Sequence, residues 1–182
     1  MEKGMRAIVI RHGKVDFQWR KWSTSKQFNE DCKRYDEAPV CPLISDGYPA
    51  EEQDIYISSL GRSKETARQL FGAKEFICTE LIDEVPLCAG IISKKRLPLL
   101  FWNVSGRLQW FINSSSQKES RTETICRAQK FVKMIMKRKK DCIIVTHGFF
   151  MHTLLKQMKS HGFQMNHKRL NYANGECVIA ER

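Results

Sequence analysis

The sequence contains no apolar run approaching the roughly 18 residues that a membrane-spanning helix requires. The short apolar run that ends at Arg11 and His12 is too brief for a secretory leader and carries no small-residue cleavage site. The seven cysteines include no Cys-x-x-Cys pair, and an odd, scattered set fits neither a disulfide framework nor a zinc cluster. Cys78 and Cys142 sit inside apolar runs, where a thiol behaves as a small hydrophobe. These absences predict a soluble, cytoplasmic chain with free thiols. There is no internal repeat, low-complexity tract or interdomain linker either, so residues 1–182 are expected to form a single domain.

Acidic residues are outnumbered by basic ones, 20 against 31, for a net charge of +11. One reading of that excess is affinity for a polyanion such as nucleic acid. The other is a solvated basic surface that also draws in a small anionic substrate. The densest cationic run, Lys133 to Lys140, closes an amphipathic helical pattern, where cations complement the helix dipole. That placement favours the second reading. With 42% hydrophobic and 28% charged residues, the composition is that of an ordinary packed domain.

Short apolar, β-rich runs alternate with helical patterns, which predicts an α/β fold around a mostly parallel sheet. The candidate strands are Ala7 to Arg11, Asp54 to Ser58, Glu75 to Thr79, Cys142 to Thr146 and Glu176 to Ala180. From Ser120 onward, Ile125, Ala128, Val132 and Ile135 recur at helical spacing, and Ser120 with Glu123 forms a capping-box pattern. Arg62 to Leu70 and Gly148 to Met158 read as two more helices. A further pattern, Leu97 to Phe111, places Leu97, Phe101, Val104, Leu108 and Phe111 on one side, although Pro98 and Gly106 interrupt it. Pro39 to Pro49 reads as an irregular surface connection.

Three of the strands end on a basic residue delivered into a turn or a helix start. They are Ile8-Val9-Ile10-Arg11-His12-Gly13, Ile55-Tyr56-Ile57-Ser58-Ser59-Leu60-Gly61-Arg62 and Ile143-Ile144-Val145-Thr146-His147-Gly148. Ligand sites of open parallel sheets form outside the carboxyl ends of the strands. The three ends are therefore expected to gather Arg11, His12, Arg62 and His147 around one point, a pocket for a dianion. Arg62 supports this. A cation in the first turn of a helix is unfavourable without an anionic partner, and a bound phosphate would supply one. In such a pocket one neutral imidazole can attack phosphorus, while the other, protonated, donates to a phosphoryl oxygen.

Taken in order, Arg11-His12-Gly13, Ser58-Ser59-Leu60-Gly61-Arg62 with Glu65-Thr66-Ala67, and Thr146-His147-Gly148 resemble the histidine phosphatase superfamily, the phosphoglycerate-mutase-like group in its small bacterial-type branch. The resemblance implies a three-layer α/β/α sandwich and a metal-independent phosphatase that needs no cofactor. It implies that His12 becomes phosphorylated, that Arg11, Arg62 and His147 hold the phosphoryl oxygens, and that Glu84 protonates the leaving group. Asp83 and Glu80 lie close enough to compete for that last role. Gly13 lets the backbone turn against the substrate.

This chain departs from the family after Gly13, with Lys14 and Val15 in place of an acidic residue or glutamine and then threonine. Gln18 stands nearest the position of an asparagine that often donates to phosphate. The partner expected is a small phosphate ester, with no membrane and with nucleic acid disfavoured, and the chain is expected as a monomer or homodimer. A phosphoglycerate mutase-type transferase and a non-catalytic phospho-ligand or nucleic-acid binding module are the alternatives. His152, His161 and His167 are expected at the surface or in packing, and no metal pair is expected, since His147 and His152 do not share a helical face. Phe17, Trp19, Trp22, Trp102, Trp110 and Phe111 are expected mainly in packing, with Leu97 to Asn113 the candidate cover of the pocket.

Overall fold

The computed structural model describes residues 4–43, 53–167 and 171–182. In chain order the elements are β1 (Arg6–Arg11), β2 (Trp22–Ser23), α1 (Ser25–Glu37), β3 (Asp54–Ile57), α2 (Gly61–Phe71), β4 (Ile77–Cys78) and a 3-10 turn (Glu80–Ile82). They continue with β5 (Leu97–Pro98), α3 (Leu99–Phe111), α4 (Arg121–Arg138), β6 (Cys142–Thr146), α5 (Gly148–Ser160), β7 (Gln164–Met165) and β8 (Cys177–Glu181). Six strands form one sheet in the order β4-β3-β6-β1-β8-β7, and β2 with β5 forms a small separate ribbon. The four strands from β4 to β1 run parallel. Strand β8 pairs antiparallel with both β1 and β7.

Alternation along the strands builds two apolar layers, because successive side chains point to opposite faces. Ile8, Ile10, Ile55, Ile57, Ile143 and Val145 pack against Ala67 and Phe71 of α2. Ala7, Val9, Tyr56, Ile144, Val178 and Ala180 pack against α4 and α5 through residues such as Phe131, Val132, Met151 and Leu154. The result is the expected α/β/α arrangement with a mostly parallel sheet. All seven cysteines are free thiols. Among the described residues no helix is long and apolar enough to cross a membrane.

Several elements differ from the expectations. The strand foreseen at Glu75 to Thr79 pairs only at Ile77–Cys78, since it is a sheet edge whose neighbour offers two residues to it. Helix α1 was not foreseen. Its capping box is made by Thr24 and Gln27, but of its residues only Ser25, Phe28 and Asp31 are buried, so it carries no apolar stripe. Helix α3 is continuous: Pro98 takes the position before its first turn, and Gly106 sits where a Cβ would come within 2.5 Å of Leu87. Its inward face is Trp102, Gly106 and Trp110, whereas Phe101, Val104, Leu108 and Phe111 face solvent. Trp22 is likewise exposed. Of the Pro39 to Pro49 connection, residues 44–49 lie outside the described residues; Val40 forms an isolated bridge with Val15.

Candidate active site

The parallel strands β1, β6 and β3 are neighbours, so their carboxyl ends meet. His12 follows β1 and donates its backbone N–H to Thr146 at the end of β6. The rings of His12 and His147 lie 5.0 Å apart, centroid to centroid. Arg62, in the first turn of α2, donates from Nε to Nδ1 of His147 at 3.1 Å. Arg11 completes the group from the last position of β1, its guanidinium lying against Gly148, where a Cβ would fall 2.7 Å from Nε. The quartet foreseen from the strand ends is therefore assembled.

Each imidazole has a defined tautomer. Nδ1 of His12 faces the carbonyl of Gly13 at 2.7 Å and must donate to it, which leaves the Nε2 lone pair free. His12 is only 2% exposed. Burial first, then the charge of Arg62, push its pKa down to about 3, against the Gly13 bond, and Arg11 adds to the depression. The ring is a neutral base throughout the physiological range.

His147 is fully buried. Its Nδ1 accepts from Arg62, so in the neutral ring Nε2 carries the hydrogen and donates to Oγ of Ser58, 2.6 Å away. Burial, followed by Arg62, holds its pKa well below the ordinary value. This departs from the expected protonated donor: a ring with no access to water and a guanidinium on one nitrogen has no stabilising surroundings for a second proton.

The motif residues brace this arrangement. The N–H of Gly13 donates to Oγ1 of Thr66 at 2.9 Å, and its carbonyl accepts from Nδ2 of Asn174 at 3.2 Å as well as from His12. Gly13 thus orients the histidine beside it, with its own amide committed to Thr66. A Cβ there would fall 2.6 Å from Val40. Ser63 Oγ donates to the carbonyl of Val145, and Glu65 accepts from the amide of Val40. Arg11 donates to the carbonyl of Tyr172, and its Nε is buried without a hydrogen-bond partner.

The three candidate acids all line the adjacent cleft and differ in their hydrogen-bond partners. Asp83 accepts from the amide and the hydroxyl of Ser59 at 2.7 and 2.5 Å and so fastens the β3–α2 turn. Glu80 sits in the 3-10 turn and lines the adjacent cleft. Glu84 lies at the N-terminus of α5, where Oε1 accepts from the amides of Phe150 and Val85, both at 2.9 Å, and Oε2 only from Phe149, at 3.3 Å. These three amides hold the carboxyl group in place at the cleft. Gln18 is exposed and does not line the cleft, because the chain turns away after Gly13 to form the Val15–Val40 bridge.

A cleft of about 780 Å³ adjoins the quartet; of the four residues Arg62 alone lines it, together with the carboxylates Glu80, Asp83 and Glu84. Trp19, Leu81, Pro86 and Leu99 give it apolar walls, and Asn103 and Arg107 of α3 line it, so part of the Leu97 to Asn113 segment does border the site. Two lining residues had no sequence signal. Tyr35 and Asp36, at the end of α1, meet Arg62: the Tyr35 ring lies 5.1 Å from the guanidinium carbon, and Asp36 Oδ1 is 2.7 Å from Nη1. Burial pushes the Tyr35 phenol up, with Arg62 and Arg11 pulling it down. The Thr24-x-x-Gln27 capping box is the one local pattern that could have revealed the helix carrying them.

Comparison with solved structures gives the same architecture. A phosphoserine phosphatase mutant from Entamoeba histolytica in complex with phosphoserine superposes with a TM-score of 0.57 at 17% identity, over 96% of this chain and 89% of that one. A mycobacterial glucosyl-3-phosphoglycerate phosphatase superposes with a TM-score of 0.59 at 13% identity, over 98% and 91%. Identities this low establish the fold. No curated protein sequence matches. The sequence profile of the histidine phosphatase superfamily (branch 1) matches residues 48–182, so Arg11-His12-Gly13 joins the site by geometry and not through the matched span. By that match, which takes in most of its length, this chain belongs to the histidine phosphatase superfamily.

Proposed function

We propose that this protein hydrolyses small phosphate monoesters through a phosphohistidine on Nε2 of His12. The observation that carries the reading is the pair of buried rings 5.0 Å apart, one with its Nε2 lone pair free and the other held by Arg62. Arg11, Arg62 and His147 surround the place where phosphoryl oxygens would gather charge in transfer. Two guanidinium groups supply the compensating charge, so the reading includes no metal or other cofactor. The names of the two structural relatives, acting on phosphoserine and on glucosyl-3-phosphoglycerate, agree in kind with a small phosphate ester as substrate.

In the first step Nε2 attacks phosphorus in line, the ester P–O bond breaks, and Glu84 gives its proton to the departing oxygen. Oε2 is the freer of its two oxygens and the one suited to exchange that proton. In the second step water attacks phosphorus, the N–P bond breaks, and the water proton passes to Glu84. Both groups return to their starting states.

The test is turnover of p-nitrophenyl phosphate together with analysis of the phosphorylated protein. Acid-labile, alkali-stable phosphate on the chain is expected, with His12→Ala abolishing it and lowering turnover by about a thousandfold or more. Retained turnover in His12→Ala would remove the nucleophile assignment. Interconversion of phosphoglycerates in place of phosphate release would make the protein a mutase.

A further inference from the structure

Helix α3 is apolar on the side that faces water. At roughly 100° per residue, Leu100, Phe101, Val104, Leu108, Phe111 and Ile112 fall within about a third of the helix circumference. They lie opposite Trp102, Gly106 and Trp110, which face the protein. The inward side is already satisfied: Trp102 stacks on Phe28 at 5.7 Å and Trp110 donates to Oγ1 of Thr124 at 2.9 Å. Among the described residues the outer stripe is not covered in this way: Phe101 meets the edge of Trp102 and Phe111 lies under Arg121, with Leu100 and Ile112 each 71% exposed. Trp22, in the ribbon paired with Leu97–Pro98, and Ile92, 96% exposed just before that ribbon strand, add to the apolar surface. Asn103 and Arg107 on one flank, and Ser105 and Gln109 on the other, set this stripe apart from the inward face. A patch of this extent marks an interaction site.

The charges around the stripe select the partner. From Pro86 to Arg121 the chain has one acid, Glu119, and six cations, of which Arg107 and Lys118 line the cleft and Lys94, Lys95, Arg96 and Arg121 lie by the stripe. That acid is engaged with Arg127 at 2.7 Å. Lys94, Lys95 and Arg96 are exposed at the N-terminal end of the stripe, and Lys21 runs beside them, its carbonyl bonded to the Leu99 amide. Arg121 closes the other end, 4.5 Å over the Phe111 ring. In a two-fold pairing of this chain, the same basic rim would be brought against itself. Aliphatic and aromatic side chains between clusters of Lys and Arg fit instead the boundary of an anionic bilayer, where the apolar face enters and the cations meet lipid phosphates and carboxylates.

We infer that the outer face of α3, with its lysine and arginine rim, docks this protein on a negatively charged lipid surface. The chain lies on the bilayer and does not span it.

The test is co-sedimentation of the full chain with vesicles of phosphatidylcholine alone and of phosphatidylcholine with an equal share of phosphatidylserine. Binding to the mixed vesicles only is expected, weakening as salt rises. Lys94→Glu with Lys95→Glu should weaken binding about fivefold for each charge removed. Leu108→Ser with Phe111→Ser should weaken it by about tenfold or more. Both pairs are on the surface and away from the quartet, so p-nitrophenyl phosphate turnover in solution should match the unaltered protein, which also shows that the variants fold. Absence of binding to the mixed vesicles, equal binding to both kinds, or full binding by the serine pair would overturn the inference. So would a stable dimer that the serine pair dissociates, because the stripe would then be covered by a second copy.

Discussion

Asp36 reaches Arg62 from the end of α1 and, under the proposed function, takes the place of a phosphoryl oxygen on its guanidinium. Arg62 is 2% exposed and Asp36 50%, so the guanidinium is fixed while the carboxylate can move into water. The sequence showed that a cation in the first turn of α2 requires an anion, and in this structure Asp36 is that anion. On the proposed function a phosphate ester displaces it, which would make the ion pair a competitor of substrate. Removing the carboxylate charge with Asp36→Asn is therefore expected to tighten inhibition by inorganic phosphate about two- to fivefold, the range of a half-exposed pair. If Asp36 served only to orient Arg62, the same variant would bind phosphate more weakly. Inhibition constants measured side by side separate the two by sign.

At the scale of elements, the site depends on how closely the end of β1 passes the start of α5. Gly148 permits that passage: a Cβ would lie 2.7 and 2.8 Å from Nε and Cζ of Arg11. These atoms belong to a flexible side chain, so Gly148→Ala should leave the fold standing and push the guanidinium aside. Phosphate binding should weaken about tenfold, the cost of a charge-assisted hydrogen bond, with a nearly unchanged melting temperature. A variant with wild-type KM for p-nitrophenyl phosphate would show that Arg11 does not hold the phosphoryl group.

The same elements explain what could be read from the chain. Strands β1, β3 and β6 announce themselves as apolar runs, and because each ends in a basic residue, the quartet could be read with them. Helix α1 stayed hidden because Phe28 is its single buried apolar residue, so no periodicity exists to detect. With it were hidden Tyr35 and Asp36. Helix α3 was detected, but its orientation was not. When both sides are apolar, spacing does not say which faces inward, and that choice falls to Gly106, the position where Leu87 leaves no room for a side chain. Asn174 and Tyr172 join distant segments through one or two hydrogen bonds each, for which a lone sequence has no local pattern.

For the molecule as a whole, the folded state keeps two imidazoles neutral inside the protein, and that couples its stability to pH. His12 is held at a pKa of about 3 and His147 well below the ordinary value, whereas in the unfolded chain both protonate near 6.5. Above that value neither state binds the proton, and these groups add no pH dependence. Below it the unfolded chain takes up protons that the folded one refuses. Stability must then fall as pH drops from 6.5 towards 3, by up to about 1.4 kcal/mol per pH unit for each histidine. Carboxylates also titrate in the lower part of that window, and the net charge of +11 grows, so the total slope does not isolate the histidines. The difference between wild type and His12→Gln does, because glutamine keeps a polar side chain without a titrating ring. Urea unfolding at pH 7, 6 and 5 should show the variant losing less stability than wild type over that interval. Parallel losses would mean that His12 takes up its proton in the folded protein, and a ring that can do so at pH 5 is not the sequestered neutral nucleophile on which the two-step chemistry depends.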